Sequence, residues 1–500
     1  MSNPLLRTKS VEQSMADTDE PGHRLKKSLS AWDLTVFGVS VVIGAGIFTL
    51  TASTAGNKAG PAISVAFVMA AVACALAALC YAEFASTVPV AGSAYTFGYA
   101  TFGEFLAWIL GWDLILEFAV GASVVAKGWS SYLGNVFGFS GGVADVGITI
   151  DWGAILVVAV VSTMLVVGTK LSSRFSAVIT AIKVGVVLLV IIVGSFYIKT
   201  ANYSPFIPPA EGADVEKSVD SSVFSLITGG GGTSYGWYGV LAAASIVFFA
   251  FIGFDVVATT AEETRNPARD VPRGIIGSLV IVTVLYVLVT VVVTGMVSYR
   301  ELATKPDGTS GNLASAFAAN GVTWAEKTIA IGALAGLTTV VMVLMLGQTR
   351  VLFAMCRDGL LPRGMATTSD RFGTPARLTI VIAVVVAVVA GFFPIDRLEE
   401  MVNVGTLFAF IVVAGGVLVL RRSRPDLTRG FVVPGGPVIP VLAILACVWL
   451  MLNLSALTWI RFVIWMVIGV IIYFAYGMNH SMVGRRERHE VAAARSGADT

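Results

Sequence analysis

Charge is what this 500-residue chain has least of: Asp, Glu, Lys and Arg together make up 13%, about half the usual share of a soluble domain. Apolar residues make up 56% and mean hydropathy is +0.84. That excludes an ordinary soluble enzyme and a disordered chain, because so much apolar surface has to face lipid. The net charge is only +2, so no strong field recruits nucleic acid or another polyanion. There are four cysteines, Cys74, Cys80, Cys356 and Cys447, without CxxC spacing or a neighbouring His. They read as small buried hydrophobes and not as a disulfide or metal framework. No HExxH, GxSxG or Walker pattern occurs, so no enzyme, metal or cofactor is expected.

What the chain has is apolar runs long enough to cross a bilayer, about 20 residues each. Twelve are expected near 31–56, 61–88, 99–133, 152–169, 172–198, 237–263, 272–298, 323–357, 376–393, 398–420, 437–456 and 459–478. The reading is an all-α integral membrane protein with a polar tail over 1–30, a transmembrane domain over 31–478 and a second tail over 479–500. The first tail lacks an apolar core and a cleavage site, so it is not read as a signal peptide. Most of the 33 basic residues fall on one side. Arg24, Lys26 and Lys27, Arg265, Arg269 and Arg273, Arg350 and Arg357, Arg421 and Arg422, and Arg485 and Arg486 share the side of the N-terminus, while few, such as Lys58, Lys199 and Arg300, lie opposite. The positive-inside rule then puts both termini in the cytoplasm. The long outer loop ends in the run Gly229 to Gly232; without the Gly-Lys-Ser/Thr order of a P-loop it is a tether and not a phosphate cradle.

Two spans carry glycine-centred interruptions. Span 1 reads Ile43-Gly44-Ala45-Gly46-Ile47-Phe48, and span 6 reads Phe249-Ala250-Phe251-Ile252-Gly253-Phe254-Asp255. Each opens one half of the chain, 31–198 or 237–420. Glycines in single membrane helices often serve only close packing. Paired breaks at corresponding positions instead point to a binding site at the bilayer midplane. Past Gly44, Ala45 and Gly46 a half-helix begins with free N–H groups and a positive dipole end, which suits a carboxylate. Before Gly253 the carbonyls of about Phe249, Ala250 and Ile252 are freed, which suits an ammonium group. The pair fits a zwitterionic α-amino acid.

Ionisable residues within spans are functional candidates. Lys183 lies about 13 Å along its helix from Arg174 and about 24 Å from Lys199 at 1.5 Å per residue, too deep to reach water easily. It is a candidate for reversible protonation, or else a structural donor to broken-helix carbonyls. Asp113 and Glu117, at i and i+4, share a helix face. Three uses stay open for Glu117: pairing with a cationic substrate side chain, binding a proton, or satisfying a neighbouring helix. Lys127 reads as an interface residue. Asp255 is expected to cap the second half of span 6, and Tyr286 to donate to the site, to Lys183 or to another buried partner. The charged turns at Glu262–Pro267 and Arg357–Gly359 are solvated loops or a gate.

The span 1 and span 6 motifs, with Ala261-Glu262-Glu263-Thr264-Arg265-Asn266-Pro267, Gly347-Gln348-Thr349-Arg350 and Met355-Cys356-Arg357-Asp358-Gly359-Leu360, resemble the amino acid–polyamine–organocation superfamily. They are most similar to bacterial members of its cationic amino acid transporter family, over about residues 25–480. The resemblance implies a LeuT-like fold of two inverted five-helix repeats, with helices 1 and 6 broken, plus two extra helices over 437–478, working by alternating access. It implies that the substrate carboxylate meets the amides around Gly44, Ala45 and Gly46, and the amino group the carbonyls of Ile43, Phe249, Ala250 and Ile252. Lys183 corresponds to the lysine that proton-coupled members place where sodium-driven ones hold their ion, Glu117 to an acidic position by the side-chain pocket, and Leu337 to a span 8 position in that pocket. A bulky apolar residue there disfavours arginine.

These readings give a secondary active permease of the inner membrane, importing an amino acid with protons. An amino acid or polyamine antiporter and a nutrient sensor on the same fold are the alternatives. The expected partners are the amino acid, protons and the bilayer; a small accessory membrane subunit is left open.

Overall fold

The computed structural model describes residue 7 and, with gaps, residues 29–485; residues 1–6, 8–28, 45, 88–92, 138–142, 146–148, 169–172, 212–218, 230–233, 262–263, 305–310, 368, 370–373 and 486–500 lie outside the description. The expectations for Ala45, Glu262, Glu263 and the glycine run past Gly229 fall there.

Among the described residues, the apolar runs fold into helices close to the expected spans. The first is divided into α1a (Ala31–Val42) and α1b (46–59), followed by α2 (Ile63–Thr87), α3 (Glu104–Phe137), α4 (Trp152–Val167) and α5 (Ser173–Ser195). The sixth is divided into α6a (Gly236–Phe251) and α6b (Phe254–Thr259). Then come α7 (Pro267–Met296), α8 (Thr323–Arg357), α9 (Ala376–Phe392), α10 (Ile395–Ser423), α11 (Val438–Leu452) and α12 (Ala456–His480). A two-stranded hairpin, Val143–Asp145 with Thr149–Asp151, precedes α4.

Local chemistry explains the ends. Ser30 and Asp33 form a reciprocal capping box at the start of α1a. Asp151 caps α4, and Gly168 closes it in the left-handed region at φ 77°. Pro267 opens α7 one turn earlier than the apolar run suggested, at a position where its missing N–H costs nothing. Residues 99–101, expected in the third span, belong to a separate short helix, Ser93–Thr101.

The bundle has its polar groups inside and its aliphatic groups outside. α3 is almost wholly buried and runs along α8, while α7 lies on α1a and α2. Exposed aliphatic stripes at helical spacing run down the other helices: Val280, Val284 and Leu288 on α7, Val381, Val384 and Val388 on α9, Val441, Leu445 and Val448 on α11, and Val463, Val467 and Ile471 on α12. A stripe that wide has no stable place in water; lipid is its solvent.

The two chain ends meet on one face. The Glu104 amide donates to the carbonyl of Arg7 at 2.8 Å. The Glu104 carboxylate accepts from Tyr99, Tyr473 and Ser481, the last two in the C-terminal segment. The turn after α8 is tied to the same face: Tyr95 donates to Asp358 at 2.7 Å, and the Met482 amide to the Asp358 carbonyl at 2.9 Å. The expected interface role of Lys127 has a counterpart: its ammonium reaches Asp151 at 3.4 Å and the carbonyl of Ala390 at 3.1 Å. All four cysteines are buried and unpaired.

A cavity at two broken helices

α1a stops where Ile43 leaves the helical region for an extended backbone at ψ 93°. Its last regular bond runs from the Ile43 amide to the Val39 carbonyl at 2.9 Å, and the helix resumes at Gly46. A helix end leaves its final carbonyls without partners, and here side chains from two other helices supply them. Lys183 of α5 donates to the Ser40 carbonyl at 2.9 Å. Tyr286 of α7 donates to the Val42 carbonyl at 2.7 Å. The Thr180 hydroxyl adds a bond to the Ser40 hydroxyl at 2.7 Å. Lys183 is 1% exposed, so its ammonium rests on the negative end of α1a and not on a carboxylate.

α6 breaks in the matching place. α6a tightens into a 3-10 turn over Phe248–Phe251, Ile252 is extended, and Gly253 takes φ +115°, a conformation that side chains oppose. α6b then starts with Gly253 as its cap. Asp255 therefore sits in the first turn and not at the cap position anticipated for it. The carbonyls of Ser245 and Ile246 are taken by Asn403 of α10, at 2.8 and 3.1 Å, and the Phe249 carbonyl accepts from the Ile252 amide at 3.2 Å.

The two breaks touch main chain to main chain. A Cβ on Gly46 would come within 2.2 Å of Ala250 Cα. From this contact a cavity of about 860 Å3, part of it open space, extends toward the face where the chain ends meet. Its wall includes Ser40, Gly44, Gly46, Glu117, Lys183, Phe249, Ile252 and Asp255. The remaining lining is mostly apolar: Phe118, Gly121 and Val125 of α3, Val340, Val343 and Leu344 of α8, and Val402 of α10. Ile43, Ala250 and Tyr286 are buried next to it without lining it. Leu337 is fully buried and does not line the cavity; on α8 Thr339, Val340, Val343 and Leu344 face the space instead. On the opposite side α1b is tied down. Tyr235 donates through its hydroxyl to the Gly56 carbonyl and through its amide to the Lys58 carbonyl, and Tyr132 donates to the Phe48 carbonyl.

Sequence reasoning missed Gly336, Asn403 and Thr180. The first has a specific geometry: a Cβ on Gly336 would lie 3.0 Å from Lys183 Cγ and 3.2 Å from Cε. The lysine stem reaches α1a through the slot that this glycine leaves in α8. Gly336→Val is expected to push the ammonium off Ser40 and to reduce proton-driven uptake at least tenfold. In a Lys183→Ala background the same change is expected to add little, a comparison that a double-mutant cycle of uptake measures.

Residues 29–478 match the amino acid permease family model, and the chain belongs to that family. It is a multi-pass membrane transporter of the amino acid class, and not an enzyme. Among its relatives, the branched-chain amino acid permease BcaP of Bacillus subtilis (strain 168) is 42% identical over 97% of this chain and 100% of its own length. The methylthioribose transporter of the same organism is 39% identical over 96% and 99%. The vacuolar cationic amino acid transporter 4 of Arabidopsis thaliana is 38% identical over 85% of this chain and 68% of its own.

Proposed function

We propose that the protein is a proton-coupled importer of aliphatic α-amino acids in a bacterial cell membrane, with both termini in the cytoplasm. The observation that carries the reading is the contact between Lys183 and the Ser40 carbonyl at the end of α1a, 2.9 Å long and buried. A protonated Lys183 holds α1a to α5. A neutral one loses most of that charge-assisted bond, which biases the equilibrium toward a state in which α1a moves away. Differential stabilisation of two states is what a coupled cycle requires.

In this mechanism the amides around Gly44, Ala45 and Gly46 take the substrate carboxylate, and the carbonyls of Ile43, Phe249, Ala250 and Ile252 take its ammonium group. The halves 31–198 and 237–420 act as the two repeats, and 437–478 as the added pair of helices. The proposed side-chain class follows from the walls: Phe118, Val125, Val340, Val343, Leu344 and Val402 offer dispersion contacts to a branched aliphatic chain. The relative named as a branched-chain permease agrees with that reading. Leu337 would act from behind Val340, limiting the depth of the pocket.

The test is uptake of L-leucine by the purified protein in proteoliposomes with an imposed inward proton gradient and no internal amino acid. Accumulation above the external concentration is expected, together with a thermal shift by leucine, isoleucine or valine that exceeds those by arginine, lysine and polyamines. Uptake that appears only with internal substrate would make the protein an exchanger. Binding without any uptake would favour a sensor.

A further inference from the structure

Asp113 is the most anomalous charged residue inside the bundle. It is fully buried on α3, and neither carboxyl oxygen has a hydrogen-bond partner. The reason is geometric. Its carboxyl lies against the bare main chain of α10 at Gly405, where a Cβ would come within 2.8 Å of Asp113 Oδ1. The N–H groups of α10 are spent on its own ladder, so no donor is offered. An ionised carboxylate without a donor or a cation is strongly unfavourable in such surroundings.

A buried acid of this kind needs an occupant, and three are available. No group of three or more His, Cys, Asp or Glu side chains suited to a metal ion occurs among the described residues. A substrate cation does not reach Asp113 in this conformation, because the residue is not part of the cavity wall. A proton remains. Glu117, on the same helix face about 6 Å along, is in the wall. Among the described residues, the other titratable groups that interact with the pair are Tyr81 of α2, with both acids, and Asp255 of α6b, with Glu117.

We propose that Asp113 is a second proton-binding site, distinct from Lys183, which carries its proton as a neutral acid and exchanges it with the cavity through Glu117. The exchange requires a rearrangement that brings the two carboxyls within hydrogen-bond distance, because Asp113 has no partner in this conformation. In it the Asp113 O–H bond breaks as an O–H bond forms on the Glu117 carboxylate, which then returns the proton to the cavity. Asp113 lies nearer than Glu117 to the face where the chain ends meet, so the pair extends the protonatable path in that direction. Only the stoichiometric consequence rests on the proton-driven import proposed above; the occupancy of Asp113 does not.

Infrared difference spectroscopy of the reconstituted protein, in H2O and D2O, tests the occupancy without any substrate. The carbonyl stretch of a protonated carboxyl free of hydrogen bonds is expected in the wild type and in Lys183→Ala, and is expected to be lost in Asp113→Asn. Its absence from the wild type, or its persistence in Asp113→Asn, would overturn the site. Glu117→Gln keeps the band but is expected to slow its deuterium shift, and an unchanged shift would remove Glu117 from the path; this variant also reads the exchange should Asp113→Asn fail to fold. The proton-to-leucine ratio from reversal potentials is expected to fall by one proton in Asp113→Asn. An unchanged ratio would refute a transported proton at this site; Lys183→Ala is expected to lose coupling to both protons, because release of α1a uncouples the conformational step that carries them.

Discussion

Lys183→Ala is expected to abolish accumulation of L-leucine against its gradient while leaving exchange and binding in place. One pH unit across the membrane stores about 1.4 kcal/mol per proton, enough for about tenfold accumulation. Without the ammonium the Ser40 carbonyl has no partner from α5, and nothing ties the position of α1a to proton occupancy. The variant then equilibrates substrate, and its accumulation ratio falls to about one at any imposed gradient. Counterflow of labelled leucine measures the residual exchange. Retention of full gradient-dependent accumulation would remove Lys183 from the coupling step. A loss of binding as well would assign it a structural role, as a fixed donor to a broken helix. Lys183→Arg separates charge from titration: a guanidinium keeps the cation but does not release its proton, so uphill uptake is expected to be lost there too.

Gly46→Val is expected to remove binding and transport together. Its side chain would enter the main chain of Ala250, 2.2 Å from Cα and 2.9 Å from the amide nitrogen. No rotamer relieves a clash at Cβ, so the two half-helices must part. Overpacking of this type costs about 1–3 kcal/mol, and a shift of the breaks by even part of an ångström misaligns the amides and carbonyls that hold the zwitterion. A drop in affinity of at least tenfold, with no saturable uptake, is the expected result in thermal-shift titration and proteoliposome assays. Wild-type affinity in a well-folded Gly46→Val protein would show that the substrate sits elsewhere.

The contrast between Gly46 and Gly336 shows how far the chain can be read without coordinates. Gly46 is flanked by Gly44 within a long apolar run, so the interruption is a local property and visible as such. Gly336 is one more small residue in α8, and its meaning comes only from the lysine stem of α5 that crosses it. Lys183 stood out because an ionisable group deep in an apolar helix demands a partner. Which partner it has, the Ser40 carbonyl, follows from the packing of α5 on α1a. Asn403 is similar: it saturates the Ser245 and Ile246 carbonyls from a helix more than 150 residues away in sequence. Leu337 marks the limit of register. The residue type suited the pocket wall, but on α8 the wall is made by Thr339, Val340, Val343 and Leu344.

The sequence by itself determined the membrane environment, the near positions of the helices and the interruption of the first and sixth, because hydropathy and glycine act over short stretches of chain. The tertiary structure alone decided which orphaned carbonyls receive Lys183, Tyr286 and Asn403, which side of the breaks is open, and that Asp113 has no donor. Those are properties of groups brought together across the bundle, and no local pattern encodes the angle at which two helices meet.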